Sequence, residues 1–362
     1  MLTDIEYMQE ALLLAKKALG KTHPNPMVGA VIVEDGEIVA RGFHAKDGTA
    51  HAERVALNSL KYPLKKGAKI YVTLEPCSTE GRTGSCTQAI INAGISEVII
   101  GTLDPNPKHK GRAIKLLESA GISVKVGVLQ EECESLNCIF NYVVREQKAL
   151  LCMKFAMSRN LIISEGEGVR TKISSQNSLE HLMTLRELFP AIAVGAKTLI
   201  CDNPKLSIRN EEGETCNHRL LFDRSLSCLD NLDKNLFSDN FSSKTIVIAD
   251  LDSPKDGLLK LDEARINYII LNSKRDDEAG YWNCLKQELF ARGIYAVLIE
   301  GGFAILQSLL KTKAFDYYYI YKSPNALKES CFAFKREDLS FLREAKKLKL
   351  GIDGLHFGAR NF

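Results

Sequence analysis

Residues 69–94 read KIYVTLEPCSTEGRTGSCTQAIINAG. The opening KIYVTL is a short apolar run of the kind that forms a buried strand. PCSTEGRTGSC reads as a loop and TQAIINAG as a helix. Cys77 therefore follows a strand, and Cys86 immediately precedes a helix. Backbone N–H groups at a helix N-terminus favour a thiolate. Upstream, His51-Ala52-Glu53 opens a second helical run, HAERVALNSL. One imidazole and two thiolates supply three ligands to a zinc ion and leave the fourth position for water. The metal lowers the pKa of that water toward neutrality, which suits attack on an amidine-like carbon. A carboxylate that is not a ligand must then carry protons to the departing ammonia, and Glu53 stands two residues from His51. Taken singly, these are as readily buried cysteines and a surface histidine. The ordered set carries the reading. A purely structural zinc site needs four protein ligands, and no fourth Cys or His stands at ligand spacing near Cys77 and Cys86.

Toward the N-terminus, VGAVIVEDGEIVARGFH places two β-branched runs around Asp35-Gly36, a strong hairpin signal. Thr3 and Glu6 have capping-box spacing, and Ile5, Met8, Leu12, Ala15 and Leu19 recur at helical intervals until KTHPNP ends the helix. Toward the C-terminus, EVIIGT reads as a strand, AIKLLESAG as a helix and ISVKVGVL as a strand. Strands alternating with helices predict an α/β layer with a substantially parallel sheet, closing near residues 134–142. A second α/β pattern follows. ALLCMKFAM is strand-like, SLEHLMTLRELF helical, and PAIAVGAKTL a strand followed by a turn. RLLFD, TIVIAD and NYIILN are short strands, and AVLIEGGFAILQSLL is strand, Gly-Gly turn and helix. Residues 210–217 and 230–243 are polar and acidic and read as surface loops.

A length of 362 residues fits two domains. With 26% charged and 45% hydrophobic residues the chain can bury large cores, which argues against disorder. The formal charge of +3 gives no electrostatic footprint for nucleic acid. The eight-residue spacer STEGRTGS also differs from the P-C-x-x-C common in nucleic-acid deaminases. No apolar run is long enough to span a bilayer, and the first helix lacks the basic start of a signal peptide. A cytoplasmic location without membrane association is the expectation. There, the 10 Cys are more often metal-binding, catalytic or buried than paired. Oligomeric state is not fixed by the sequence, and a homo-oligomer is compatible with it.

The segments THPNPMVGAVIVEDGEIVARGFH, HAE, YVTLEPCSTEGRTGSC, DPNPKHKGRAI and AGISVKVGVL resemble the bifunctional riboflavin-biosynthesis deaminase–reductase family over nearly all of residues 1–140. GAKT, DNPKLSIR, RLLFD and VLIEGGFAILQSLL resemble its reductase half. The resemblance implies a cytidine-deaminase-like three-layer α/β/α domain at 1–145 and a dihydrofolate-reductase-like α/β domain at 146–362. It implies zinc-dependent deamination of 2,5-diamino-6-ribosylamino-4(3H)-pyrimidinone 5′-phosphate. NADPH-dependent reduction of the ribosyl group to ribityl would follow. By the same resemblance His51, Cys77 and Cys86 are the zinc ligands and Glu53 the proton shuttle. Asn25, His44, Asp104 and Asn106 line the pyrimidine pocket, and Arg82 faces the substrate phosphate. In the second half, Gly195, Thr198, Asp202, Gly301 and Gly302 match cofactor positions. Ser174, Arg186, Asp202 and Arg209 match substrate positions, with Arg186 on the phosphate side. Glu300 is a catalytic carboxylate facing the ribosyl group.

Plainer readings stand beside these. Asn25 sits between prolines and suits a turn, His44 can cap a strand, Asp104 and Asn106 suit an Asx-type turn, and Arg82 is an ordinary loop charge. The second half also departs from the family. Ser158-Arg159-Asn160-Leu161-Ile162 stands where the family shows S-L-D-G-K, so Ile162 replaces a substrate-facing lysine. Lys172 replaces a Trp and Lys197 a Gly. Lys154 or Lys172 could then supply the missing cation. The departures leave open a deaminase whose second half is only a structural or dimerisation module.

Overall fold

The computed structural model describes residues 2–79, 85–169, 171–211 and 213–360, so Arg82 lies outside the described residues. The chain divides into two compact units, Met1–Gln147 and Lys148–Phe362. No helix among the described residues is long and apolar enough to cross a membrane.

The first unit is a five-stranded sheet between two helical layers. Its strands are β1 (Gly29–Glu34), β2 (Glu37–Phe43), β3 (Lys69–Leu74), β4 (Glu97–Thr102) and β5 (Ser123–Val126), in the order β2-β1-β3-β4-β5. β1 runs antiparallel to β2 and β3, whereas β3, β4 and β5 are parallel. Asp35 and Gly36, both at positive φ, make the β1–β2 turn that the Asp-Gly pair predicts. The helices are α1 (Asp4–Lys16), α2 (Ala52–Asn58), α3 (Cys86–Asn92), α4 (Arg112–Ser119), α5 (Gln130–Leu136) and α6 (Cys138–Glu146). Alternate strand residues serve the two faces. Ala30, Ile32, Ile70, Val72, Val98 and Ile100 pack with α2, α3 and α4. Val31, Val33, Tyr71 and Ile99 pack with α1 and α5. Thr3 and Glu6 form the capping box that starts α1. Gly42 lets α2 lie directly on β2, since a Cβ there would fall 2.2 Å from the Ala52 carbonyl oxygen.

The second unit is a nine-stranded sheet. It contains β6 (Leu150–Met157), β7 (Ala191–Gly195), β10 (His218–Phe222), β11 (Thr245–Asp250), β12 (Asn267–Leu271), β13 (Ala296–Ile299), β14 (Tyr317–Lys322), β15 (Lys346–Leu350) and β16 (Asp353–Ala359). β8 (Ile208–Asn210) and β9 (Gly213–Thr215) form a separate hairpin. The order is β12-β11-β10-β7-β13-β6-β14-β16-β15, parallel from β12 to β14. The remaining pairs are antiparallel. Parallel strands are covered on both faces, which is why AIAV, RLLF and AVLI read as unbroken apolar runs. The helices are α7 (Gln176–Leu188), α8 (Ala196–Asp202), α9 (Asn235–Ser238), α10 (Lys255–Glu263), α11 (Glu278–Ala291) and α12 (Phe303–Thr312). α11 and α12 pack on one face. α8, α9 and α10 pack on the other.

Three expectations are corrected here. Residues 230–243 are not a plain surface loop: they carry helical turns and α9, whose Leu236 is fully buried. Asp239 holds both terminal nitrogens of Arg219, at 2.7 and 2.9 Å, and Arg219 is itself fully buried. A polar segment is thus pinned because it carries the counter-charge of a core arginine. Residues 210–217 are partly the β8–β9 hairpin, and α8 begins directly after Gly195, with no intervening turn.

Candidate active sites

His51 is the N-cap of α2, and Glu53 lies on its first turn. Cys77 follows β3 by three residues, and Cys86 is the first residue of α3, whose cap Ser85 accepts the Gln88 N–H. His51 Nδ1 lies 3.5 Å from Cys77 Sγ and 3.4 Å from Cys86 Sγ. A zinc with bonds of about 2.3 Å to sulfur and about 2.0 Å to nitrogen, at a tetrahedral angle, sets such donors about 3.5 Å apart. The three side chains therefore fit the ion. Surrounding bonds fix them. The Cys86 N–H donates to Cys77 Sγ at 3.2 Å, the Thr87 hydroxyl donates to the Cys77 carbonyl at 2.9 Å, and Arg54 ties α2 to α3 through the Ser85 carbonyl. Hydrogen bonding from Cys86, and then from His51, holds the Cys77 thiol well below the ordinary thiol range.

Glu53 is 3% exposed. Burial pushes its carboxyl up to about 7, where it can both accept and return a proton near neutral pH. A dication beside it favours the ionised form, which accepts the first proton. His44 stacks edge-on against His51, ring centres 5.6 Å apart. Its Nδ1 faces the Ala50 carbonyl at 3.2 Å and so carries the hydrogen. Its buried Nε2 has no partner among the described residues, and burial holds the ring's pKa down. Asn25 donates to Asp47 at 2.8 Å. Asp104 Oδ1 accepts the Asn106 N–H and Asn106 Oδ1 accepts the Lys108 N–H, so the Asx turns exist. They leave Asp104 Oδ2 and Asn106 Nδ2 without a partner among the described residues.

The second unit holds a cavity of about 1200 Å³ at the carboxyl ends of β7, β10 and β13, where open parallel sheets bind ligands. Gly195, Thr198, Asp202, Glu300, Gly301 and Gly302 line it, as does Ser174. Gly302 has φ +95, a conformation that only glycine adopts without strain. A Cβ on Gly301 would meet nothing within 4 Å, so the backbone there is open to a ligand. Lys154, on β6, also lines the cavity and is half-buried. Burial lowers its pKa, opposed by the nearby Glu300 carboxylate. Burial likewise disfavours the ionised Glu300, but Arg186 and then Lys154 outweigh it and hold the carboxyl below its ordinary range.

Arg186 is placed differently from a phosphate-side cation. Its Nε and Nη2 donate to Glu300 at 2.6 and 2.9 Å and its Nη1 to the Ser207 carbonyl at 2.7 Å, all within the protein. Arg209 is exposed on β8, outside the cavity wall. Ile162 is 3% exposed and bridges Ala333, so it packs in the interior and does not line the cavity. The Ser158 hydroxyl accepts its N–H, and the Asn160 side chain bonds the backbone of Leu327 in both directions. This turn is scaffolding, and its departures leave one of the cavity-lining cations, Lys154, in place. Lys172 and Lys197 do border the cavity, Lys197 paired with Glu167 at 2.8 Å.

Residues 1–102 match the cytidine and deoxycytidylate deaminase zinc-binding region, and residues 149–349 match the RibD C-terminal domain. Riboflavin biosynthesis protein RibD of Actinobacillus pleuropneumoniae is 35% identical over 352 residues, covering 96% of this chain and 92% of the relative. That of Aquifex aeolicus is 37% identical, covering 90% and 88%. This chain belongs to the riboflavin-biosynthesis deaminase–reductase family. The family's solved structures agree over the whole chain. The deaminase–reductase of Thermotoga maritima has a TM-score of 0.80 at 30% identity, covering 99% of both chains. RibD of Acinetobacter baumannii has 0.78 at 27%, again covering 99% of both. The chain is thus a bifunctional deaminase and reductase of riboflavin biosynthesis, with zinc and NADPH as cofactors. Both halves are present, so the reading of a deaminase with a merely structural second half is set aside. The residue that sequence reasoning undervalued is Lys154. Its signal was a lone cation inside an apolar strand run, LLCMKFAM, where a charge must have a partner.

Proposed function

We propose that the first unit deaminates 2,5-diamino-6-ribosylamino-4(3H)-pyrimidinone 5′-phosphate and that the second reduces the ribosyl group of the product to ribityl. The observation that carries the reading is a three-donor set, His51, Cys77 and Cys86, beside the buried, non-ligating Glu53. The Thermotoga protein is described as a diaminohydroxyphosphoribosylaminopyrimidine deaminase and 5-amino-6-(5-phosphoribosylamino)uracil reductase, which supports the substrate class. Zinc, when bound, supplies an acidified water. Glu53, buried beside the ligand set, would accept a proton as the C–O bond forms and return protons to the amino nitrogen as the C–N bond breaks and ammonia leaves. His44 Nε2, Asp104 Oδ2, Asn106 Nδ2 and Asn25 offer polar atoms for the pyrimidine edge, and Arg82 a charged fork for the phosphate.

In the second unit NADPH, when bound, supplies a hydride. Gly195, Thr198, Asp202, Gly301 and Gly302, which line the cavity, would hold it. Lys154, its charge favoured by the nearby Glu300 carboxylate, would give a proton to the ribosyl ring oxygen as the C1′–O bond opens and the hydride is delivered to C1′. Ser174 borders cofactor and substrate. The partner is a small molecule; nothing in the charge or the inter-cysteine loop suits nucleic acid, and the reading places the enzyme in the cytoplasm. Purified enzyme given the diaminopyrimidine substrate, with and without NADPH, tests the proposal by mass spectrometry. The deamination shift should appear in both samples and the reduction shift only with NADPH. Unchanged substrate in both would defeat it.

A further inference from the structure

The carboxylate of Glu75 sits between the metal loop and the loop that carries Asp104 and Asn106. It lies one residue beyond β3 and is 6% exposed. No cation partners it among the described residues; three backbone N–H groups do. Oε2 accepts from Asp104 at 3.2 Å and from Gly111 at 2.9 Å, and Oε1 accepts from Ala113 at 3.1 Å. Its own N–H donates to the Thr102 carbonyl at 2.9 Å, extending the β3–β4 pairing. One carboxylate therefore grips both ends of the segment 104–111. Its Gly111 and Ala113 bonds also cap α4, whose N-cap Gly111 has no side chain to do so and sits at φ +74. Between the two gripped ends the segment is closed by its own Asx turns and by bonds from His109 and Lys110 to the Asn106 carbonyl. Two residues beyond Glu75 is Cys77.

We propose that Glu75 is a positioning residue for deamination. It fixes the 104–111 loop to the end of β3, and thereby sets Asp104 and Asn106 at a fixed distance from the metal-ligand loop. Glu75 does not touch substrate in this arrangement. It acts by presenting two polar side chains in one register, so that binding need not first order the loop. The proposal rests on the reading that Asp104 and Asn106 contact the pyrimidine.

The test uses full-length, zinc-loaded enzyme and the diaminopyrimidine substrate. Glu75→Gln keeps the shape but turns one acceptor into a donor that faces an N–H. The expected result is a deamination KM raised about tenfold or more with kcat within about threefold, by analogy with lost ground-state contacts. Zinc content and NADPH-dependent reduction of the deaminated substrate should stay at wild-type levels, which also reports that the chain is folded. Asn106→Ala alone should raise KM, and adding Glu75→Gln to it should raise KM by much less than the product of the two effects, since both act through one loop. Loss of zinc together with a fall in kcat would make Glu75 a support of the metal loop and overturn the proposal. An unchanged KM in Glu75→Gln, with Asn106→Ala impaired, would overturn the positioning role alone. An unchanged KM in Asn106→Ala would overturn the substrate reading of the loop, and the proposal with it.

Discussion

At the scale of single residues, the two sites use burial in opposite ways. Glu53 is buried without a fixed cation of its own, and its proton affinity rises; Glu300 is buried against Arg186, and its proton affinity falls. Metal binding and proton transfer at the first site should therefore separate. Cys86→Ser is expected to lose zinc, because a hydroxyl replaces a thiolate poorly, as measured by bound metal per chain. Glu53→Gln should retain zinc and lose deamination by about 10²–10⁴-fold. Near-normal turnover in that variant would refute the shuttle. At the second site, Arg186→Met leaves Glu300 buried with only Lys154 opposing it and should cost about 3–5 kcal/mol at neutral pH. The sign of its pH dependence follows. Wild-type Glu300 has a lowered folded value, so its stabilisation is present above the ordinary carboxylate range and is lost as pH falls through the folded value. In the variant the carboxyl moves up and its protonated form needs no counter-charge, so the deficit should narrow on acidification. Urea denaturation of both proteins at neutral and mildly acidic pH would show whether it does.

At the scale of elements, function depends on how closely a helix approaches a strand. α2 carries His51 and Glu53, and only the absence of a side chain at Gly42 lets it rest on β2. Gly42→Ala should push α2 outward, weaken zinc binding and depress deamination, while leaving NADPH-dependent reduction near wild type. Metal content and the two activities measured side by side decide it. The turn at 158–162 is the contrasting case. Leu161 sits at φ +66, where the family's glycine would be unstrained, and Ile162 is packed in the interior. Ile162→Lys would bury an ammonium there and should destabilise the fold by about 2 kcal/mol or more without speeding reduction. A faster reductase from this substitution would contradict the proposal that Lys154 is the proton donor.

At the scale of the whole molecule, the candidate groups for the two proposed reactions fall in different compact units. His51, Cys77, Cys86 and Glu53 all lie in the first, and Lys154, Glu300 and the cavity glycines all lie in the second. Removing zinc with a chelator should abolish deamination and leave reduction of an already deaminated substrate intact. Added zinc should restore the first activity. Parallel loss of both activities on chelation, in protein that remains folded, would show that the metal serves more than the first unit.

The metal site was legible in the sequence because its signals are local. His-x-Glu at a helix start, Pro-Cys after a strand and Cys before a helix are each set by neighbours in the chain, as is the Asp-Gly hairpin. The family likeness extended this to most of both halves. Tertiary structure decided the rest, where a residue's role depends on which distant groups surround it. Arg186 matched a phosphate-side position until Glu300, 114 positions away, took two of its donors. Ile162 looked like a missing charge until the interior closed over it. Lys154 was one lysine among apolar residues until β13 set Glu300 beside it. Residues 230–243 were polar enough for a loop, yet Asp239 is held by a core arginine. Local propensity acts over one turn of helix or one strand, whereas burial and charge pairing act between segments far apart in the chain, and only the assembled sheet brings those together.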